Sequence, residues 1–479
     1  MSAWQIGVFP CVDKHYFIKT FNNFLRGDNR MKKKISLILF IFVFVFSTAC
    51  NGSTENKSTK KIITFGYTGY CSYDTEIDHF NSTQDVYEIQ MKHYIPSGDA
   101  YVEDINGAGS SEECKAQLIE DIKNGNGPDI IDLASFSLCV SDPNINIYLE
   151  DLYPYIDSDS TLNRSDFISS FMNAYEVNGA LYSTANALLI HTSAVSAPVA
   201  QNGTWNIEML PDTVSSIGGV DNLSYVVMDS EVLFCNLIES FRYDFVDTEK
   251  EYVNFECDAY RNLLKLCGEL GNEDYTGAAT NDSGVLYMDQ IRSFYYPQLY
   301  KSCFRNDFTF ASNLDGSTAS YWNEPFEKLA MNNASEHKDA IWQFLRIFMT
   351  EEYQKTCSTF PSNLAALEYQ IDDAQQGNLE KTIDSISTGE RISRDYTPIT
   401  SFDSSGIVYS PVSADQIQRI LDLMDSTTRI NSDEENQCIQ KAREIAQQYF
   451  DEEIDLNTAV NLTQEDVTAI INHNGNALN

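Results

Sequence analysis

Strand, helix and strand follow one another at short spacing soon after residue 60, and this order limits the possible folds more than any other feature of the chain. Ile62-Ile63-Thr64-Phe65 has the β-branched and aromatic content of a strand, ending at Gly66. Residues 87–94 alternate, with Tyr87, Ile89, Met91 and His93 opposing Glu88, Gln90 and Lys92, the period of two that a strand requires. Ser110-x-x-Glu113 reads as a capping box for a helix that carries Cys114, Leu118, Ile119 and Ile122 on one face. Asn124-Gly125 stops that helix, Gly127-Pro128-Asp129 turns the chain, and Ile130-Ile131-Asp132-Leu133 is a short buried strand. Parallel strands need a crossover of this kind, so the segment predicts an α/β domain with a parallel sheet.

Later segments read as more helical. Ala340, Ile341, Phe344, Leu345 and Phe348 form an apolar stripe, with Ser335 as its N-cap, and Thr350-Glu351-Glu352 opens another helix after a break. Helices are also predicted over 413–424, 434–450 and 463–471, and the polar tract 370–395 reads as helix with loop.

Charge is distributed unevenly. The chain has 32 basic and 70 acidic side chains, a formal net charge of −38, yet seven of the basic groups and only two of the acidic ones precede Cys50. Such acidity argues against nucleic acid, whose phosphates need Lys and Arg, and favours neutral or cationic solutes or other proteins. Met31-Lys32-Lys33-Lys34 followed by the apolar run 35–46 has the form of a signal peptide over 31–49, its apolar part too short to span a membrane. Ser47-Thr48-Ala49-Cys50 closes it with small residues and a cysteine, and 50–61 is a polar tether. Residues 1–30 then precede the expected start of the protein.

The remaining nine cysteines, Cys71 to Cys438, are widely spaced, contain no C-x-x-C and read as buried small hydrophobes. Metal-ligand spacing is absent among His79, His93, His191, His337 and His473. H-E-x-x-H, G-x-x-x-x-G-K-[ST], G-x-S-x-G and G-x-G-x-x-G do not occur, and Ser335-x-x-Lys338 lacks the companion motifs of a penicillin-binding nucleophile. No catalytic residue, cofactor or metal follows from the sequence.

Several segments, in order, resemble a family. Gly125-Asn126-Gly127-Pro128-Asp129-Ile130, Leu149-Glu150-Asp151-Leu152, Val177-Asn178-Gly179-Ala180-Leu181-Tyr182 and Gly203-Thr204-Trp205 are similar to segments of the extracellular solute-binding lipoproteins of ABC importers, in the class that includes maltose-binding protein. Ala334 to Leu345 and Glu351-Glu352-Tyr353-Gln354 are similar to its returning helices. The start of the chain likewise resembles a lipoprotein signal, with Ser47 where Leu is usual; ordinary secretory cleavage also fits Ser47-Thr48-Ala49. The resemblance implies a two-lobed, type II periplasmic-binding-protein-like α/β fold, its lobes joined by crossing hinge segments. Lobe 1 would comprise 62–188 plus 320–368, and lobe 2 would comprise 190–318 plus 370–479. It implies an exported monomer, lipid-anchored through Cys50 on the outer face of the cytoplasmic membrane, that passes a sugar or small oligosaccharide to a permease without chemistry.

Sugar recognition needs flat aromatic faces and groups that bond hydroxyls. Tyr67 and Tyr70 follow the first strand, Asp132 and Ser135 follow the second-sheet strand, Tyr182 and Asn186 lie by the first crossing, and Arg292 follows an apolar run. Tyr321, Trp322 and Glu324 lie in a polar, loop-like stretch, where Trp322 is the expected stacking platform; Trp205 and Trp342 are expected to pack inside. A glycan hydrolase and a surface protein that recognises other proteins are the competing readings.

Overall fold

The structure, a computed structural model, describes residues 60–95, 111–270, 280–384, 391–398 and 407–477. Residues 1–30, the signal peptide 31–49, Cys50, the tether as far as residue 59 and the expected cap Ser110 lie outside the described residues. Lys61, assigned above to the tether, already belongs to a strand.

Twelve strands are described. In chain order they are β1 (Lys61–Thr68), β2 (Tyr87–Tyr94), β3 (Ile130–Asp132), β4 (Ile190–Ser196), β5 (Val246–Asp247), β6 (Tyr252–Val253), β7 (Leu286–Ile291), β8 (Phe308–Phe310), β9 (Ser320–Trp322), β10 (Leu329–Met331), β11 (Glu380–Asp384) and β12 (Arg391–Asp395). The first sheet has the order β10-β3-β1-β2. Its β1 runs parallel to both β2 and β3, and β10 returns antiparallel to β3. The predicted crossover helix is Ser111–Lys123, and it buries Cys114, Leu118 and Ile122. Gly66 does not end β1. A Cβ there would stand 2.5 Å from Pro128 Cγ, so glycine serves the close approach of the 127–129 turn while the strand continues to Thr68.

The second large sheet is built on β4. Along one edge β4 pairs with β7 from Ile190↔Ile291 to Val195↔Leu286. Along the other edge it pairs first with β9 and then with β8. Every residue of β4 is buried, as expected of a strand covered on both faces. Side chains alternate across the sheet: Ile190, Ala194, Tyr287, Ile291 and Trp322 join one hydrophobic core, while Val195, Leu286 and Met288 join the other. The first core also takes in the first sheet and the helix Lys338–Leu345. The second core is built on Leu210–Ile217, Ser230–Ser240, Asp258–Gly268, Asp433–Phe450 and Leu456–Ala477.

Tyr296–Phe304 and Ala414–Ser426, both expected in lobe 2, contribute side chains to the first core. On Ala414–Ser426 the apolar side chains Ile417, Ile420, Leu423 and Met424 turn that way, and Ser170 Oγ donates to Met424 O at 2.7 Å.

Asp433–Phe450 begins with a capping box between Ser432 and Glu435, and Thr350 caps Glu351–Gln354. Ser335 is no cap; its hydroxyl donates to Asp129 Oδ1 at 2.6 Å, and His337 takes the N-cap position. The tract 370–395 is helical only as far as Gln376, after which β11 and β12 pair as an antiparallel hairpin. Trp322, expected in a loop, stands in β9 opposite Ile190. Its indole is fully enclosed, edge-on to Phe171 at 5.5 Å, and Nε1 donates to Thr427 O at 2.9 Å. No ring face is left for a ligand. Trp322→Ala should therefore behave as a core truncation, lowering stability by ~3–5 kcal/mol in chemical denaturation; an unchanged unfolding midpoint would contradict this packing.

Candidate functional site

Polar and charged side chains that would ordinarily face water run through the interior beside the two large sheets. At the C-terminal end of β3, Asp132 Oδ1 accepts from Ser135 N at 3.2 Å, and Ser135 Oγ accepts from Thr68 N at 3.2 Å. Burial pushes Asp132 up to about 6, against the pull of the Ser135 hydrogen bonds and the nearby Lys328 charge. Lys328 itself pairs with Glu324 at 2.9 Å, both side chains largely enclosed. For Glu324 desolvation outweighs its partner and its carboxyl is raised. Next to this pair Asn186 donates to Glu327 Oε2 at 2.9 Å, Tyr353 OH donates to the same oxygen at 3.3 Å, and Cys357 Sγ donates to Asn186 Oδ1 at 2.8 Å.

On the second-core side of β4 and β9, Tyr321 stacks on His191 with centroids 4.7 Å apart, and its hydroxyl donates to Glu239 Oε2 at 3.1 Å. Arg242 lies over the Tyr321 ring at 4.6 Å and pairs with Glu239. Burial pushes His191 down to about 4, so the imidazole is neutral at pH 7. This cluster holds the sheet against the helix Ser230–Ser240, although Arg242 Nε is buried without a partner.

The end of β7 is different. Asp289 Oδ2, Arg292 Nε, Ser293 Oγ, Tyr300 OH and Tyr409 OH are all sealed from solvent without a hydrogen-bond partner. Desolvation pushes Asp289 up to about 7, with Arg292 pulling it down, and the Asp289 charge in turn acts on Tyr287, Tyr296, Tyr300 and Tyr409. As a residue Asp289 is only half-buried; the enclosed Oδ2 carries the effect. Tyr225 stacks on Tyr287 at 5.6 Å, Tyr287 meets Tyr300 edge-on at 5.5 Å, and Tyr295 meets Tyr409 edge-on at 5.7 Å. A carboxyl, a guanidinium and three hydroxyls thus keep unused hydrogen-bonding capacity beside these tyrosine rings.

The sequence-derived residues divide accordingly. Asp132, Ser135, Asn186 and Glu324 fall in the polar cluster around Lys328 and Glu327. Arg292 lies at the β7 end, with Nη2 donating to Thr397 O at 3.0 Å. Tyr67 is half-buried and stacks on His93 at 4.6 Å, Tyr182 packs against the first core, and Tyr70 is exposed. Tyr321 and Trp322 are enclosed by the protein. The reading missed Lys328, Glu327, Asp289, Ser293, Tyr296, Tyr300 and Tyr409. Arg292-Ser293-Phe294-Tyr295-Tyr296 directly after a strand carried the usable signal, since α/β ligand sites lie at strand ends. A hollow of 580 Å³ lined by Thr161, Asp166, Glu351, Glu352 and Glu368 includes none of the expected residues. Among the described residues no cluster of His, Cys, Asp and Glu suits a metal, all nine cysteines are free, and no helix is long and apolar enough to cross a membrane.

The same architecture occurs in solved structures. The chain is similar to the sugar-binding protein MalE from Xanthomonas citri, with TM-score 0.50 and 11% identity over 87% of this chain and 99% of that one. It is also similar to a family 1 extracellular solute-binding protein from Alicyclobacillus acidocaldarius, with TM-score 0.46 and 11% identity over 86% and 98%. A third is the cyclic α-maltosyl-1,6-maltose binding protein from Arthrobacter globiformis, with TM-score 0.47 and 13% identity over 86% and 99%. No family model and no curated protein sequence matches the chain. The likeness defines the fold: this is the type II periplasmic-binding-protein α/β fold, and the structural neighbours are maltose-binding-like, family 1 solute-binding proteins of ABC transporters.

The raised carboxyl of Asp289 predicts a pH effect with a definite sign. Its folded pKa of about 7 lies above the ~3.9 of an unfolded chain. The native state therefore holds a proton that the unfolded state has released, and its stability falls as pH rises between those values. Asp289→Asn should raise the melting temperature near pH 8, where the wild type buries a charge, and leave it unchanged near pH 4. Equal shifts at both pH values would show that the carboxyl is not perturbed.

Proposed function

We propose that this protein is the solute-binding component of an ABC importer, capturing a sugar or small oligosaccharide and delivering it to the permease without transforming it. The observation that carries the reading is the set of unmatched polar atoms walled by tyrosines at the end of β7, within a fold otherwise used to hold solutes. Asp289, Arg292, Ser293, Tyr300 and Tyr409 would take the hydroxyls, and the tyrosine faces would take the C–H surface of the rings. Tyr67, Ser135 and Tyr182, which keep some exposure, would add further contacts to the solute when the lobes close around it. Closure follows if the solute binds the closed form more tightly than the open one. In this reading the chain is exported and held at the membrane by lipid on Cys50.

Two measurements test this. In a thermal-shift screen of the folded body against neutral and acidic sugars, oligosaccharides, polyols and peptides, at least one glycan should raise the melting temperature by mass action on the native state. Mass analysis of that glycan after incubation should find it intact. Steady release of cleavage products would establish a glycan hydrolase instead. Cell fractionation addresses the anchor separately: wild type should partition with membranes and Cys50→Ala should not, whereas identical partitioning would leave plain secretion.

A further inference from the structure

Arg394, in β12, is 1% exposed, as deeply enclosed as the aromatic core. Its Nη1 donates to Tyr396 OH at 2.9 Å, but Nε and Nη2 have no partner. No acidic side chain pairs with it among the described residues, although the chain carries 70 acidic residues against 32 basic ones. A buried guanidinium without a counter-charge opposes folding unless something else meets it. Its surroundings are polar in the same incomplete way. Arg394 acts electrostatically on Cys357, whose carbonyl shares the Gln370 amide with that of Thr359, and Thr359 Oγ1 is itself buried without a partner. Tyr396, which accepts from Arg394, is also within reach of the charge of Asp373, whose Oδ2 is likewise unpartnered.

The two free donors of Arg394 form the side-on fork of the guanidinium. Elsewhere in this chain the same fork grips carboxylates: Arg164 Nε and Nη2 each meet Asp157 at 2.7 Å, and Arg346 Nε and Nη2 meet Asp159 at 2.8 and 3.3 Å. We propose that Arg394 is the seat of a carboxylate carried by the solute, so that the preferred ligand is an acidic sugar rather than a neutral one. The inference rests on the solute-binding reading above and narrows its ligand class. Two parallel N–H donors match the two oxygens of a carboxylate and give no comparable match to a sugar hydroxyl. The overall acidity of the chain does not oppose this, because exposed charges are screened beyond about 8 Å at physiological ionic strength. Among the described residues β11 and β12 pair only with each other, so a shift of these strands that admits the carboxylate breaks the Lys381–Asp373 pair and the Arg292–Thr397 bond but neither large sheet.

The test is a thermal-shift and calorimetric comparison of galacturonate and digalacturonate with galactose and its neutral disaccharide, with glutamate and a dipeptide as other carboxylate sources. The acidic sugars should stabilise the wild type and their neutral counterparts should bind at least tenfold more weakly. Arg394→Gln should abolish that preference, and its ligand-free melting temperature should equal or exceed that of the wild type, because an unpaired buried charge has been removed. Arg394→Lys, which keeps the charge but loses the fork, should retain only a fraction of the acid preference. Stabilisation by neutral sugars but not by acidic ones would overturn the carboxylate seat and leave solute binding intact. Stabilisation by glutamate or the dipeptide alone would retain the seat and replace the sugar by an amino acid or peptide. No shift with any probe would overturn the inference and the solute-binding reading together. A marked fall in the ligand-free melting temperature of Arg394→Gln, with acid preference retained, would make Arg394 a structural residue.

Discussion

The structure depends on β4 being covered on both faces and paired on both edges. A strand in that position can expose neither its backbone nor its side chains, so all of its polar backbone groups must be met by neighbouring strands. Antiparallel pairing with β7 on one edge and with β9 and β8 on the other meets that requirement. The pleat then sends alternate side chains to opposite sides, and each side becomes the floor of its own hydrophobic core. Two cores thus arise from one sheet because a strand has a period of two.

That arrangement brings polar residues inside. Where each core meets the sheet edge, charged groups from different elements converge, and they survive there by pairing. Arg429 shows the pattern: its guanidinium bonds Asp247 at 2.8 and 3.0 Å and lies over the Tyr243 ring at 4.5 Å, tying the segment after Ala414–Ser426 to β5. Such clusters fix which surfaces meet more than they add stability, since desolvation offsets most of the Coulomb attraction. Buried charged atoms without a partner occur at Arg242 Nε, Asp244 Oδ2 and Arg443 Nε, and also at the end of β7 and in β12. Unmatched hydrogen-bonding capacity is where a ligand can contribute free energy, because it replaces a desolvation penalty by a bond.

The start of the fold was legible because its signals are local. Residues 61–132 carry strand alternation, a helical stripe and a glycine-proline turn within a few residues of one another, and the observed first sheet follows them. The resemblance to solute-binding proteins rested on similarly local segments and agrees with the observed fold. The site was less legible. Arg292 and Asp132 could be proposed because they follow strands, and the structure places both among buried polar groups. Arg394 could not, because in sequence it stands in a charged tract of weak periodicity with nothing to mark it as buried.

The sequence alone determined the α/β class and the helices Ser111–Lys123, Lys338–Leu345, Glu351–Gln354, Ala414–Ser426, Asp433–Phe450 and Leu456–Ala477, since period and capping are properties of a few consecutive residues. Asp74–Thr83, Ser230–Ser240, Asp258–Gly268 and Tyr296–Phe304 are seen only in the structure. Tertiary structure decided which face each long-range element presents. Trp322 is the clearest case: its polar neighbours suggest a loop, but pairing of β9 with β4 turns the indole into the first core, where it finds Thr427 O and Phe171. The same holds for Ala414–Ser426, which is legible as a helix in sequence while its choice of core is not. Burial depends on contacts between residues a hundred positions apart, and neither a side chain's composition nor its neighbours encode which of two cores will close over it.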